Sequence, residues 1–156
     1  MKNFQNKDKI IKASRQLCVL ARVTLAVWII GLAMFLVLTI NVTTNGGNSR
    51  SIYLTGGGLI EMLFAIMITL NFLQFFNRLR KGELFDAPTI GCLHAAGRWW
   101  LAYWMMDFAF CAIGNKWFET QMTYTFGGLF TAMTVIFVAW LLKEAQDLQE
   151  EQALTV

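Results

Sequence analysis

Charge is scarce in this sequence. Charged residues make up 15 % of its 156 positions and hydrophobic residues 56 %, against roughly 25 % charged in soluble domains, so a water-soluble surface is excluded for most of the chain. Proline occurs once, at Pro88, and histidine once, at His94, so helices meet few breakers and no paired-histidine metal motif exists. Cys18, Cys92 and Cys111 stand far apart, which excludes a disulfide framework and a paired-thiolate zinc spacing. They read as small packing residues. No nucleophile with an acid-base partner, no phosphate-cradling loop and no zinc motif is present. No enzyme, cofactor or metal site is therefore expected.

What is abundant is apolar sequence, gathered into four blocks at about 23–42, 59–76, 98–113 and 124–142. At about 1.5 Å per residue each can cross a hydrocarbon core about 30 Å thick, the third only with help from its flanks. Backbone groups inside lipid must pair within their own segment, so the expectation is all-α: a four-helix transmembrane bundle in a single membrane domain. The lipid bilayer is its first partner.

Lysine and arginine set the orientation. Lys2, Lys7, Lys9, Lys12, Arg15 and Arg22 precede or open block one, Arg78, Arg80, Lys81 and Arg98 lie between blocks two and three, and Lys143 follows block four. Only Arg50 and Lys116 fall in the other two loops, so eleven of the thirteen cations mark one side. That side is cytoplasmic, which puts both termini inside and, for a bacterial chain, the protein in the inner membrane. The formal charge of +3 gathers at this face, where it suits anionic headgroups; no direct nucleic-acid contact is implied. Block one reads as an anchor rather than a cleaved signal, because its polar leader is long and no small-x-small site precedes Asn41. Asn41, Val42 and Thr43 spell a glycosylation acceptor, read as accidental so close to the membrane.

Residues 1–16 carry five cations against Asp8, with Phe4, Ile10 and Ile11 interspersed, and suit a short surface helix or a plain orientation signal. The glycine-rich stretch 43–58 reads as a flexible outer loop. Inside, Gly82 can end the second helix in a left-handed cap, and Asp86 can cap the third with Pro88 in its first turn. Periodicity continues past Leu142 through Ala145, Leu148 and Gln152, so the fourth helix runs on as an acidic tail with Glu144, Asp147, Glu150 and Glu151. This tail could pair with the basic leader within the bundle, or each could recruit a partner.

Asp107 is the most informative residue. A carboxylate near mid-helix costs roughly 2.5–3.5 kcal/mol on insertion scales unless offset. It shares a helical stripe with Trp100, Tyr103, Trp104 and Cys111, so aromatic rings and an acid on one face could hold a cation. Glu61 in block two stands at a similar height or somewhat above. The plainer alternatives are a protonated or hydrogen-bonded Asp107 that serves packing, interfacial aromatics, and a Glu61 open to outer water. Arg98 cannot neutralise Asp107 within the helix, being about 13 Å lower and on the opposite face. Small residues at Gly31, Gly91 with Ala95, and Gly128 with Ala132 support close helix packing or a homodimer.

Two stretches carry a resemblance: Arg80, Lys81, Gly82, Glu83, Leu84 and Phe85, and the ending Leu148 to Val156 with Glu150 and Glu151. Together with the length and the four blocks, they resemble a bacterial family of small four-helix membrane proteins of unknown function; the chain departs from it at Ala153, where an acidic residue is usual. Genes of that family often lie beside a small helix-turn-helix regulator of the Cro/CI type. The resemblance implies a regulatory membrane protein that binds such a regulator through 77–90 and 143–156, with Arg80, Lys81, Gly82, Phe85, Glu150 and Glu151 as contact residues. A small transporter or envelope-stress sensor using Asp107, Glu61, Trp100, Tyr103 and Trp104, and a structural subunit of a membrane complex, are the alternatives. On fractionation the chain should sediment with membranes and be released by detergent but not by carbonate; recovery in the supernatant would overturn the membrane assignment.

Overall fold

The structure, a computed structural model, describes the backbone of residues 2–83 and 86–154 and the side chains of residues 9–83 and 86–152. It is all-α, with four helices: α1 (Lys2–Thr44), α2 (Ser49–Arg80), α3 (Ala87–Trp117) and α4 (Gly127–Leu154). Stretches within three of them, Lys9–Thr44, Ser49–Arg80 and Gly127–Gln152, are long and apolar enough to cross a membrane. The sequence expectation of four such helices is met by three. α3 has the length, at 31 residues, but His94, Arg98, Asp107 and Lys116 dilute its apolar stretch.

Consecutive helices pack antiparallel, α1 on α2, α2 on α3 and α3 on α4; among the described residues no other pair of backbones approaches closely. Small residues set each contact. Gly31 of α1 faces the Met62 sulfur of α2, and the Phe35 ring lies over Gly58. Phe110 of α3 fills the space that a side chain at Gly57 would take, while Gly97 admits Ile136 and Gly128 sits under Trp104. α4 reaches α2 only through side chains, in a cluster of Phe75, Leu79, Leu93 and Ala139 at the end that carries the start of α1 and the close of α4. The apolar stretch of α1 is unburied along its length, with Met34 68 % and Val37 65 % exposed. An apolar surface of that extent requires a nonaqueous cover.

Two expectations are corrected. Residues 43–58 are not a flexible loop: α1 runs to Thr44 and α2 starts at Ser49, leaving a tight turn with Gly46 at φ 71°. Asn48 caps α2, its side-chain oxygen accepting from the Ser51 N–H and the Ser51 hydroxyl, both at 2.8 Å. Gly57 and Gly58 are helical because neighbouring aromatic rings occupy their faces, a tertiary gain that overrides the roughly 1 kcal/mol helix penalty of glycine. The leader is not a separate helix either. It continues into α1, whose 43 residues span about 65 Å, twice the thickness of a hydrocarbon core.

The inner connection follows local chemistry. Gly82 takes φ 85°, the N–H groups of Lys81 and Gly82 donate to Arg78 and Leu79, and Arg78 pairs with Glu83 at 3.6 Å. Asp86 stands at the N-cap of α3 without a side-chain hydrogen bond, and Pro88 lies in the first turn. At the opposite end the α3–α4 connection is pinned. Asn115 donates to the Met122 carbonyl at 2.8 Å and accepts from the Met122 N–H at 2.7 Å and the Thr120 hydroxyl at 3.2 Å, with Glu119 and Gln121 at positive φ. Tyr53 stacks between Phe110 and Phe118 beneath this loop. Gly57→Val should displace Phe110 and lower stability by about 1–3 kcal/mol, read as an earlier thermal transition in detergent, whereas Gly56→Ala, which meets no neighbouring atom, should not.

Candidate ligand groove

On α1, Thr24 and Trp28 lie between Ala21, which is buried, and Gly31, which meets Met62 of α2, and both line a hollow there. The hollow has a volume of about 420 Å³ and is walled by Trp28 from α1, Glu61, Thr69 and Phe72 from α2, and Trp100 and Tyr103 from α3. Phe72 meets Trp100 edge-on at 6.4 Å, and Phe64 braces Tyr103 at 6.2 Å. The Thr69 hydroxyl donates back to the Ala65 carbonyl at 2.7 Å, so it is already satisfied. Glu61 is the acid in the wall.

Glu61, half-buried, lies within electrostatic reach of Asp107, and the Tyr103 hydroxyl lies within reach of both. Asp107 accepts a long contact from the buried Cys111 thiol at 4.0 Å. Among the described residues neither carboxyl has a basic partner; the ion pair present, Arg78 with Glu83, is elsewhere. Burying negative charge beside aromatic faces without a cation is costly. A cationic group seated here would gain from both the carboxyls and the rings. A larger hollow of about 580 Å³ on the outer flank of α1, lined by Ala33, Met34, Val37 and Leu38, is apolar surface with no charged group.

The structure therefore brings Glu61, Trp100 and Tyr103 to one hollow, with Asp107 in electrostatic reach of Glu61 and Tyr103, and separates Trp104 from them. Trp100, Tyr103 and Asp107 follow the three- and four-residue spacing of one face, whereas Trp104 turns to α4. Its indole N–H donates to the Thr125 carbonyl at 2.9 Å, and its ring packs on Phe108, Phe126 and Gly128. Trp28 and Thr24 were missed from sequence, although Ala21, Thr24, Trp28 and Gly31 form a stripe at helical spacing. Of the proposed partner contacts, Arg80, Lys81, Gly82, Glu150 and Glu151 are exposed at the same end of the molecule, and Glu150 accepts from Gln146 at 2.9 Å. Phe85 lies outside the described residues, as do the side chains of Phe4 and of the last residues, Leu154 to Val156. No three His, Cys, Asp or Glu side chains converge among the described residues.

The fold and the groove define a helical protein with three helices apolar enough to cross a membrane and a fourth, α3, whose apolar stretch is interrupted by charged residues. A profile described as "Protein of unknown function (DUF2975)" matches residues 43–156, and the chain belongs to that family. No curated protein and no solved structure matches it. The match begins at the end of α1 and takes in all of α2, α3 and α4, so it is narrower than the near full-length resemblance seen in the sequence. Glu61, Trp100, Tyr103 and Asp107 fall within it, and Thr24 and Trp28 outside.

Proposed function

We propose that the chain is a noncatalytic multi-pass protein of a bacterial inner membrane, with both termini in the cytoplasm and α3 as the fourth span, that binds an amphipathic organic cation in the groove as a sensor or transporter. One observation carries this reading: an aromatic-walled hollow between the helices has a carboxyl, Glu61, in its wall and a second, Asp107, within electrostatic reach, and neither has a basic partner among the described residues. Asp107, partly buried, is more tolerable in lipid beside the Tyr103 hydroxyl and Glu61 than against acyl chains, and Arg98 and Lys116 can snorkel to the two faces. A ligand with an aromatic apolar body and a single positive charge matches both walls. With the protein in nanodiscs, binding of a lipophilic cation such as tetraphenylphosphonium, followed by tryptophan fluorescence, should weaken about tenfold or more in Glu61→Gln and Asp107→Asn, about 1.4 kcal/mol each. Unchanged affinity in both variants, with unchanged melting, would sink the proposal.

A second reading is favoured by a separate observation. The charged α2–α3 turn and the acidic extension of α4 stand at one end, joined by the Phe75, Leu79, Leu93 and Ala139 cluster. That end suits the docking of a small helix-turn-helix regulator, the partner implied by the sequence resemblance, and it would turn ligand occupancy into a transcriptional output. Deleting residues 143–156 should abolish co-purification of a small DNA-binding protein and change reporter output while leaving membrane insertion intact; retention of both would exclude this role for the tail.

A further inference from the structure

α1 and α4 are the two edges of the helix row, and among the described residues their backbones do not approach each other. Both edges are apolar on their outer flanks, with Val23, Ile30 and Val37 on α1 and Phe130, Phe137 and Trp140 on α4 exposed. Beyond the apolar stretches the two edges carry opposite charge at the same end of the molecule. Lys9, Lys12 and Arg15 are exposed on α1, and Glu144, Asp147 and Glu150 are exposed on α4.

The heights of these charges also agree. Gly31 opposite Met62 and Phe35 opposite Gly58 set the register of α1 on α2; Gly57 with Phe110 and Phe64 with Tyr103 set α2 on α3; Gly97 with Ile136 and Leu93 with Ala139 set α3 on α4. Carried across these pairings at about 1.5 Å per residue, Lys9 falls level with Glu150, Lys12 with Asp147 and Arg15 with Glu144, each within about a turn. Three cations and three anions at matching intervals, on helices whose described backbones stay apart within one chain, are complementary between chains.

We propose that a second copy of this chain docks on the open edge, with α1 of one protomer packed antiparallel on α4 of its partner and the basic start of α1 paired with the acidic close of α4. Two copies in the same bilayer differ by a rotation about the membrane normal, which preserves height. The charge ladder therefore stays in register across the interface. A two-fold pair presents two identical α1–α4 contacts and closes without leaving an edge. The apolar flanks supply the contact area, and the charges select the antiparallel register over its alternatives. The inference does not rest on the ligand groove.

The test uses two differently tagged full-length chains co-expressed in membranes with Cys18, Cys92 and Cys111 replaced by Ala. One carries Lys12→Cys and the other Asp147→Cys. Oxidation should join the two tags in one species of doubled mass, and two copies of the Lys12→Cys chain should not join. Reversal of one charge group (Lys9→Glu, Lys12→Glu and Arg15→Glu) should reduce the dimer fraction of the cysteine-free chain several-fold, and reversal of the α4 group in the same chain should restore it. A cross-link confined to a single chain carrying both cysteines would overturn the proposal, as would no cross-link. Single-step photobleaching of the unsubstituted protein in native-lipid nanodiscs would overturn it as well, independently of how the variants fold.

Discussion

A backbone surrounded by apolar material has to satisfy its own hydrogen bonds, and the rest of this structure depends on that constraint. Only helices meet it segment by segment, so the described chain is four long helices with short connections. Their mutual recognition cannot come from backbone groups already paired, nor from excluding water between surfaces that face lipid. It comes from shape. Glycine at positions 31, 57, 58, 97 and 128 opens hollows that Met62, Phe110, Phe35, Ile136 and Trp104 fill. Each helix pair is locked by a large side chain seated where its neighbour has none.

The side-chain hydroxyls obey the same constraint. Ser14, Thr39, Thr55, Thr69, Thr131 and Thr134 all donate to the carbonyl one turn back in their own helices. They are therefore spent locally and do not join helices. Against this background Glu61 and Tyr103 stand out as polar groups brought from two helices to one hollow, with Asp107 within electrostatic reach of both. The ligand reading takes its force from that contrast. Beside hydroxyls that are satisfied one turn back, two acids within electrostatic reach of each other and without a basic partner among the described residues need an external counter-charge or a shared proton.

The same economy bears on the two ends. At one end the α3–α4 loop is held by the Asn115 side chain and propped on Tyr53, so it is a built part of the fold. At the other, α1 and α4 project beyond their apolar stretches with opposite charges, and among the described residues their backbones stay apart. A single chain thus completes one end and leaves its two edges separate at the other, where association with a regulator or with a second copy has room to act.

Local interactions explain what could be read in advance. Helicity, the left-handed Gly82, the Asp86 start of α3 with Pro88 in its first turn, and the helical acidic tail each depend on residues a few positions apart, and spacing along the chain exposes them directly. So does the shared face of Trp100, Tyr103 and Asp107. Only the tertiary structure decided that Gly57 and Gly58 belong to a helix, that Trp28 lies with Glu61 at one hollow, that Trp104 turns to α4, and that the described backbones of α1 and α4 stay apart. In each case the outcome depends on which helix lies alongside, and that neighbour is chosen by the fit of side chains distant in sequence.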